Sequence, residues 1–511
     1  RDHCVTGVQT CALPIWIEAA IEPGLTLAQH LFMEGAFRGR ALCSGAGRCG
    51  LCQARFESGA PPPLPEELAI LPPGHVEKGW RLTCRRPPVP SSVVEARLRE
   101  PAPGPELLPP ACPDGVLGID LGTTSVHWRL ENADATLSGA FPNPQLGAGS
   151  EVMSRLAMAA SPRGAACLRD CAVRAVRRVV SGLPCLPGRI CLAGNTAMTC
   201  LALGLDVSGL SAAPYRVAWP GGGFARLDGE LPEVYIPPLP APFVGGDVSA
   251  GLAWLELGGP APPERPYLLA DLGTNGEFAL ALPDGRFLLA SVPMGPALEG
   301  VGMASGMIAG PGAAVAFEAS PLGLTPRLYE GGEGPVRGVS GTGYVSLLAR
   351  LVTLGAFGRD GRFAKAPASP LAARLLAGVD HSGGEPRLDL GGARLYASDV
   401  EAVLKVKAAF GVAVKLLLAE AGLGFTSLAG VLLAGAMGSH VRPADLEALG
   451  FFPPGGAARV RAVGNTSLAG ACLAARSGEA RSWLAGLGQR TGLVEVALKP
   501  EFQKIYIESM R

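Results

Sequence analysis

Four of the thirteen cysteines are spaced for one task. Cys43, Cys49 and Cys52 fall within the ten residues CSGAGRCGLC, a C-x5-C-x2-C pattern, and Cys84 follows after a long interval. Three thiolates from one loop and a fourth from afar can wrap a [2Fe–2S] cluster. Gly45, Gly47 and Gly50 let that loop take left-handed turns and bring backbone N–H groups close to the sulfides, which stabilises negative charge. Four cysteines can also hold zinc, but zinc sites usually use two paired knuckles, and Cys84 has no CxxC partner. The spacing favours the cluster, and with it one-electron transfer.

A second chemistry is suggested by D-L-G-T-T at Asp120–Thr124 and D-L-G-T-N at Asp271–Asn275. Each hangs a Gly/Thr loop off a hydrophobic strand, so together they form an internal repeat and imply two related lobes. The loops offer N–H and hydroxyl donors to phosphate oxygens, from Gly122, Thr123 and Thr124 on one side and Gly273, Thr274, Asn275 and Gly276 on the other. Asp120 and Asp271, at the strand ends, can hold Mg²⁺ or its waters. A cleft between lobes could thus clamp ATP from both sides. Glu277 could position the attacking water, although an acidic residue opening a strand is as often a solvated edge. In Leu432–Ser439, Gly435 and Gly438 leave a third strand and would let adenine lie on bare backbone, whereas the neighbouring His440 reads as a surface or packing residue.

The elements that must position these groups divide the chain. Residues 1–15 carry neither the basic flank nor the unbroken apolar stretch of a secretory signal, resemble translated adapter sequence, and are set aside with Cys4 and Cys11. Residues 16–99 read as a small domain with short strands around the cysteine loop, and 100–115 as a Pro-rich spacer. Residues 116–265 form a first lobe and 266–511 a second. In the latter, Phe278–Leu282, the turn Pro283-Asp284-Gly285 and Phe287–Ala290 predict a hairpin. Ser398 and Glu401 predict a capping box opening a long amphipathic helix to about Ala421.

Composition narrows the function. Lys plus Arg total 44 and Asp plus Glu total 44, so no net field favours a polyanion, and nucleic acid is not an expected partner. Hydrophobic residues make up 48%, but the best candidate for a span, between Glu299 and Glu318, is broken by Gly300, Gly302, Gly306, Gly310, Pro311 and Gly312, so no membrane span is expected. The scattered cysteines (Cys112, Cys167, Cys171, Cys185, Cys191, Cys200, Cys472) sit mostly in apolar surroundings, as small hydrophobes do in a reducing compartment, which points to the cytoplasm.

With its three loops in this order, the sequence resembles the acetate and sugar kinase/Hsp70/actin superfamily. More closely it resembles the reductive activators of corrinoid proteins, which join a ferredoxin domain to that ATPase fold. Further ordered segments carry the closer match: Asn143-Pro144-Gln145 with Ser154-Arg155-Leu156, Gly194–Met198, Phe243–Asp247, Gly295–Gly300, Ser340–Gly343 and Pro500–Gln503. The resemblance implies a multidomain α/β and α+β protein, with a β-grasp [2Fe–2S] ferredoxin domain followed by a two-lobed, actin/sugar-kinase-like (RNase H-like) ATPase module.

It also implies an activity, the ATP-dependent return of one electron to a corrinoid protein whose cobalt has oxidised from Co(I) to inactive Co(II). The expected partners are a corrinoid protein of a methyltransferase system and an upstream low-potential electron donor, with a homodimer left open. Asp247 and Glu299 lie in family-like motifs, and capping of a helix or turn explains them equally well. Two alternatives compete: a small-molecule kinase of the same superfamily with a redox-sensing ferredoxin domain, and a non-enzymatic electron carrier.

Overall fold

The computed structural model describes residues 20–43, 45–96, 107–132, 135–321, 323–382, 385–390, 392–435 and 440–511. The expectations for residues 1–15 and for Gly438 lie outside this set. The first unit is a three-stranded antiparallel sheet of β1 (Gln53–Ser58), β2 (Trp80–Leu82) and β3 (Val93–Glu95), in the order β2-β1-β3. The helix Leu27–Met33 accompanies it, and the Thr26 side chain caps that helix by accepting from Gln29 N at 3.3 Å.

The next sheet comprises β4 (Ala111–Leu121), β5 (Ser125–Glu131), β6 (Thr136–Pro142), β7 (Leu186–Gly194), β8 (Gly223–Ala225) and β9 (Val234–Ile236), in the order β6-β5-β4-β7-β9-β8. β4 begins inside the segment read as spacer. Ala111 and Cys112 pair with Leu186 and Pro187, and the register then slips before Val116. Prolines are tolerated at such irregular strand ends.

A second hairpin follows, β10 (Tyr267–Leu272), β11 (Asn275–Ala281) and β12 (Phe287–Pro293), with the expected turn around Gly285. Two small sheets are inserted after it: β13 (Ala313–Ser320), β14 (Gly323–Leu328) and β15 (Gly338–Val339), then β16 (Val379–Asp380), β17 (Arg387–Asp389) and β18 (Arg394–Tyr396). β19 (Gly430–Ala434), β20 (Val460–Gly464) and β21 (Thr491–Leu493) complete a six-stranded sheet ordered β20-β19-β10-β11-β12-β21. In each large sheet an antiparallel hairpin and its third strand continue into parallel neighbours, β6-β5-β4-β7-β9 in one and β12-β11-β10-β19-β20 in the other. The duplicated loops thus belong to duplicated sheets.

The long helix runs from Ala397 to Glu420 with Tyr396 at its N-cap, two residues before the expected Ser398, so the predicted capping box does not form. Asp399 caps it instead, accepting from Tyr396 N at 3.0 Å, while Ser398 bonds to Glu385 and Glu401 pairs with Lys405. No helix among the described residues is long and apolar enough to cross a membrane, and the eleven described cysteines form no disulfide.

Strand periodicity decides where the loops point. Successive strand residues face opposite sides. On β4, Leu117, Ile119 and Leu121 enter the outer core of the first lobe, and on β10, Leu268, Ala270 and Leu272 enter that of the second. Val116, Tyr267 and Leu269 face inward into a third core shared by both sheets, filled by the helices Gly246–Ala253 and Thr466–Arg476. Asp120 and Asp271 continue these inward rows, so both carboxylates emerge between the lobes.

The two inner helices cross on small residues: a Cβ on Gly470 would lie 1.9 Å from the Ala250 carbonyl oxygen. Alanine is favoured over glycine in a helix by about 1 kcal/mol, but overpacking against backbone costs about 1–3 kcal/mol. Gly470→Ala is therefore expected to lower the denaturation midpoint, and a raised midpoint would contradict this packing.

Candidate functional site

The cysteine loop is built by its neighbours. Buried Glu67 accepts from Leu64 N and Leu82 N, each at 2.8 Å, and pairs with Arg86, fixing the chain on both sides of Cys84. Thr83 between them donates its backbone N–H and its hydroxyl to Cys52 O at 3.0 and 2.7 Å, which brings Cys84 beside Cys52. Gly45, Gly47 and Gly50 have φ of 87°, 68° and 64°, the left-handed turns that the sequence calls for. The Cys43 sulfur contacts those of Cys49 and Cys84, and the Cys52 sulfur contacts that of Cys84. Hydrogen bonds from neighbouring thiols hold Cys43 and Cys52 below the ordinary thiol range.

Cys43, Cys52 and Cys84 are buried, Cys49 is half-buried, and Leu51 N–H donates to Cys49 Sγ at 3.4 Å. Among the described residues no three His, Cys, Asp or Glu side chains gather about one metal ion. The sulfur contacts run Cys49–Cys43–Cys84–Cys52, and four soft sulfur donors gathered in this way fit a two-iron cluster held by four cysteines.

The second site is a cleft, partly open to solvent, lined by Asp120, Gly122, Thr123, Thr124, Asp271, Gly273, Thr274, Asn275, Glu277 and Gly435. Gly276 is not in its wall and packs against Met294 and Phe278. Each loop is closed by a backbone bond at 3.0 Å, from Gly122 N to Ser125 O in the first and from Gly273 N to Asn275 O in the second, which is one residue tighter. All three carbonyls of the first loop are held from outside the loop: Gly122 O by Asn143 Nδ2 at 2.8 Å, Thr123 O by Arg155 at 2.6 Å and Thr124 O by Asn143 N at 2.8 Å. Arg155 is fully buried, and burial lowers its pKa to about 9 against the opposing pull of Glu299.

Glu299 joins the loops. Its Oε2 accepts from Thr124 Oγ1 and, at 3.1 Å, from Thr274 Oγ1. Glu277 is buried on an inner strand of its sheet rather than on a solvated edge, directly opposite Asp271. Asp247 accepts from Val248 N at 2.8 Å in the first turn of its helix, so it does help cap that helix, yet it also lines the cleft. His440 lines the cleft too, with an exposed side chain.

Several cleft residues carried no assigned role in the sequence. His127 stands opposite Asp120 as Glu277 stands opposite Asp271, and it bonds to Ser125 Oγ at 2.8 Å. Asn195 and Asn465 cap the helices after β7 and β20 and reach the first loop, donating to Thr123 Oγ1 at 2.9 Å and Asp120 Oδ2 at 2.7 Å. Ser467 donates to Asp120 Oδ1 at 2.8 Å. The signal for this pair is the repeated Gly-Asn-Thr at 194–196 and 464–466.

Burial, then repulsion from neighbouring carboxylates, pushes Asp247 up to about 7 and Asp271 up to about 8, and drives Glu277 well above the usual range. Burial also raises Glu299, against the lowering effect of its two threonine donors. A raised folded-state carboxyl pKa contributes stability that is present below the unfolded value and lost as pH rises through the folded value. Without divalent cations the thermal midpoint should fall from about pH 4 to about pH 8, with a shallower fall in an Asp247→Asn, Asp271→Asn double variant. Equal slopes for the two proteins would contradict the assignment.

Comparison with known proteins places this geometry. Residues 116–259 match the family model described as the RACo middle region, and residues 265–511 match the C-terminal domain of RACo, the ASKHA domain. The corrinoid activation enzyme RamQ of Eubacterium limosum is 28% identical over 426 residues, 76% of this chain and 69% of that one. A reductase of the Co(II) methylated amine-specific corrinoid protein from Methanosarcina barkeri is 31% identical over 259 residues, 46% of this chain and 43% of that one. The solved structure of a reductive activator for corrinoid, iron–sulfur protein superposes with a TM-score of 0.67 at 22% identity, covering 96% of each chain, which shows a common fold. The chain belongs to the RACo family.

Proposed function

We propose that this protein is an ATP-dependent reductive activator that returns one electron to the Co(II) form of a corrinoid protein. The carrying observation is the cleft in which two copies of one strand-turn-strand loop face each other, bridged by Glu299, in a chain that also carries four cysteines in sulfur contact. The names of the relatives supply the substrate class: one activates corrinoids, and the other reduces a Co(II) corrinoid protein.

In this reading the N–H groups and hydroxyls of Gly122–Thr124 and Gly273–Asn275 bind the phosphates, and Gly435 lies under adenine. Asp120 and Asp271 would hold Mg²⁺, which would offset the charge of phosphates and carboxylates alike. Asn465 and Ser467 orient Asp120. Glu277, facing the cleft beside Asp271, would orient the attacking water and, as a carboxylate, accept its proton. Cys43, Cys49, Cys52 and Cys84 would hold a [2Fe–2S] cluster, which would supply one-electron transfer from an upstream low-potential donor.

Plant-type clusters lie near about −400 mV, and each further 100 mV uphill costs about 2.3 kcal/mol per electron. Nucleotide can provide that energy only by binding two lobe arrangements differently, and a cleft whose two walls come from different sheets is built to do so.

The test is anaerobic: reduce the reconstituted protein, add a Co(II) corrinoid protein, and follow Co(I) absorbance with and without ATP. Co(I) should form faster or further with ATP. Cys84→Ala should abolish transfer, and Asp271→Asn should abolish the ATP effect while sparing the cluster's visible spectrum. ATP hydrolysis with no Co(I) under any condition would remove the proposal.

A further inference from the structure

The two sites are joined through the Asn143-Pro144-Gln145 segment by hydrogen bonds that alternate with short stretches of backbone. Asn143, fully buried, holds Gly122 O and Thr124 O and accepts from Gln145 N at 2.8 Å, which fixes the short turn Pro144–Ala148. That turn is seated on the first domain. Gly39 N donates to Pro144 O at 3.1 Å, and Gly147 lies so close to Phe37 that a Cβ would stand 2.2 Å from the Phe37 carbonyl oxygen. Arg40 N donates to Phe37 O at 3.0 Å, and the Arg40 guanidinium donates to Leu51 O at 2.9 Å, inside the cysteine loop. Leu51 N–H in turn donates to Cys49 Sγ. The first domain is also pinned to the first lobe by Phe32, which enters that lobe's core, and by the Glu34–Arg163 ion pair.

We propose that Arg40 and Asn143 are positioning residues through which nucleotide at Gly122–Thr124 sets the N–H···S bond on Cys49. Hydrogen bonds to cluster sulfurs tune reduction potential, so this connection lets phosphate occupancy adjust the electron donor as well as the lobes. Packed, fully bonded segments of this kind pass on small displacements when both ends bias one arrangement. The inference rests on the functional reading above, since it needs both a nucleotide and a cluster.

The test uses the full, reconstituted chain and two readouts: amide hydrogen exchange, and the electron paramagnetic resonance of the reduced cluster, each with and without a non-hydrolysable Mg·ATP analogue. In the wild type, nucleotide should slow exchange across residues 37–52 by about five-fold or more and shift the resonance. Arg40→Met should lose both responses while hydrolysing ATP at the wild-type rate, and Arg40→Lys should restore part of them. Gly147→Ala, which displaces Phe37, should uncouple the sites in the same way. Protection at 120–124 and 271–275 with no response at 37–52 in the wild type would overturn this inference and leave the function standing. Absence of a cluster signal, or of any protection at those loops, would overturn both.

Discussion

One carboxylate, that of Glu299, sits between two threonine hydroxyls that come from opposite halves of the protein, and the arrangement of the cleft depends on it. Burying an isolated carboxylate is costly unless donors replace water. Thr124 and Thr274 supply those donors, and the buried Arg155 guanidinium acts on Glu299 through space. Because both donors lie on the paired Gly/Thr loops, the interaction that stabilises Glu299 also sets the loop separation. A bound phosphate group would compete for the same hydroxyls, so ligand binding and lobe geometry share one set of hydrogen bonds.

The rest follows from strand periodicity and from small side chains. The alternation that sends Leu117 and Ile119 outward turns Asp120 inward, and the same alternation on β10 turns Asp271 toward it. The sheets approach closely because Gly251 and Gly470 stand where their helices cross, Gly251 against Thr466 and Gly470 against Ala250. The helix Thr466–Arg476 comes from the C-terminal half of the sequence yet packs on β4, with Cys472 filling the space above Gly118. The first lobe is therefore completed by the end of the chain, and Asn465 and Ser467 arrive with that helix to hold Asp120.

Much of this was legible in the sequence. The paired D-L-G-T loops are local signals in which strand, turn and chemistry lie within a few residues, and they announce both lobes. The left-handed glycines of the cysteine loop were equally local. What escaped depended on distance along the chain. Asn465 lies far from Asp120 in sequence, and only the faint echo of Gly-Asn-Thr ties it to Asn195. Glu277 opens a strand, and whether that strand is an edge or an inner one is set by β10 and β12 on either side of it. Glu299 and Asp247 read equally well as caps, because a carboxylate beside glycines looks the same whether it faces a helix end or a cleft. The long helix starts two residues before Ser398, because Asp399 accepts from the free N–H of Tyr396 and makes that residue the cap.

The most direct test of the account is a double-mutant cycle on Mg·ATP binding, measured by calorimetry, with Thr124→Val, Thr274→Val and the pair. If one nucleotide is clamped by both loops through a shared partner at Glu299, the double loss should differ from the sum of the single losses by about 0.5–3 kcal/mol. Strictly additive losses, or a nucleotide affinity indifferent to either threonine, would contradict a two-sided clamp.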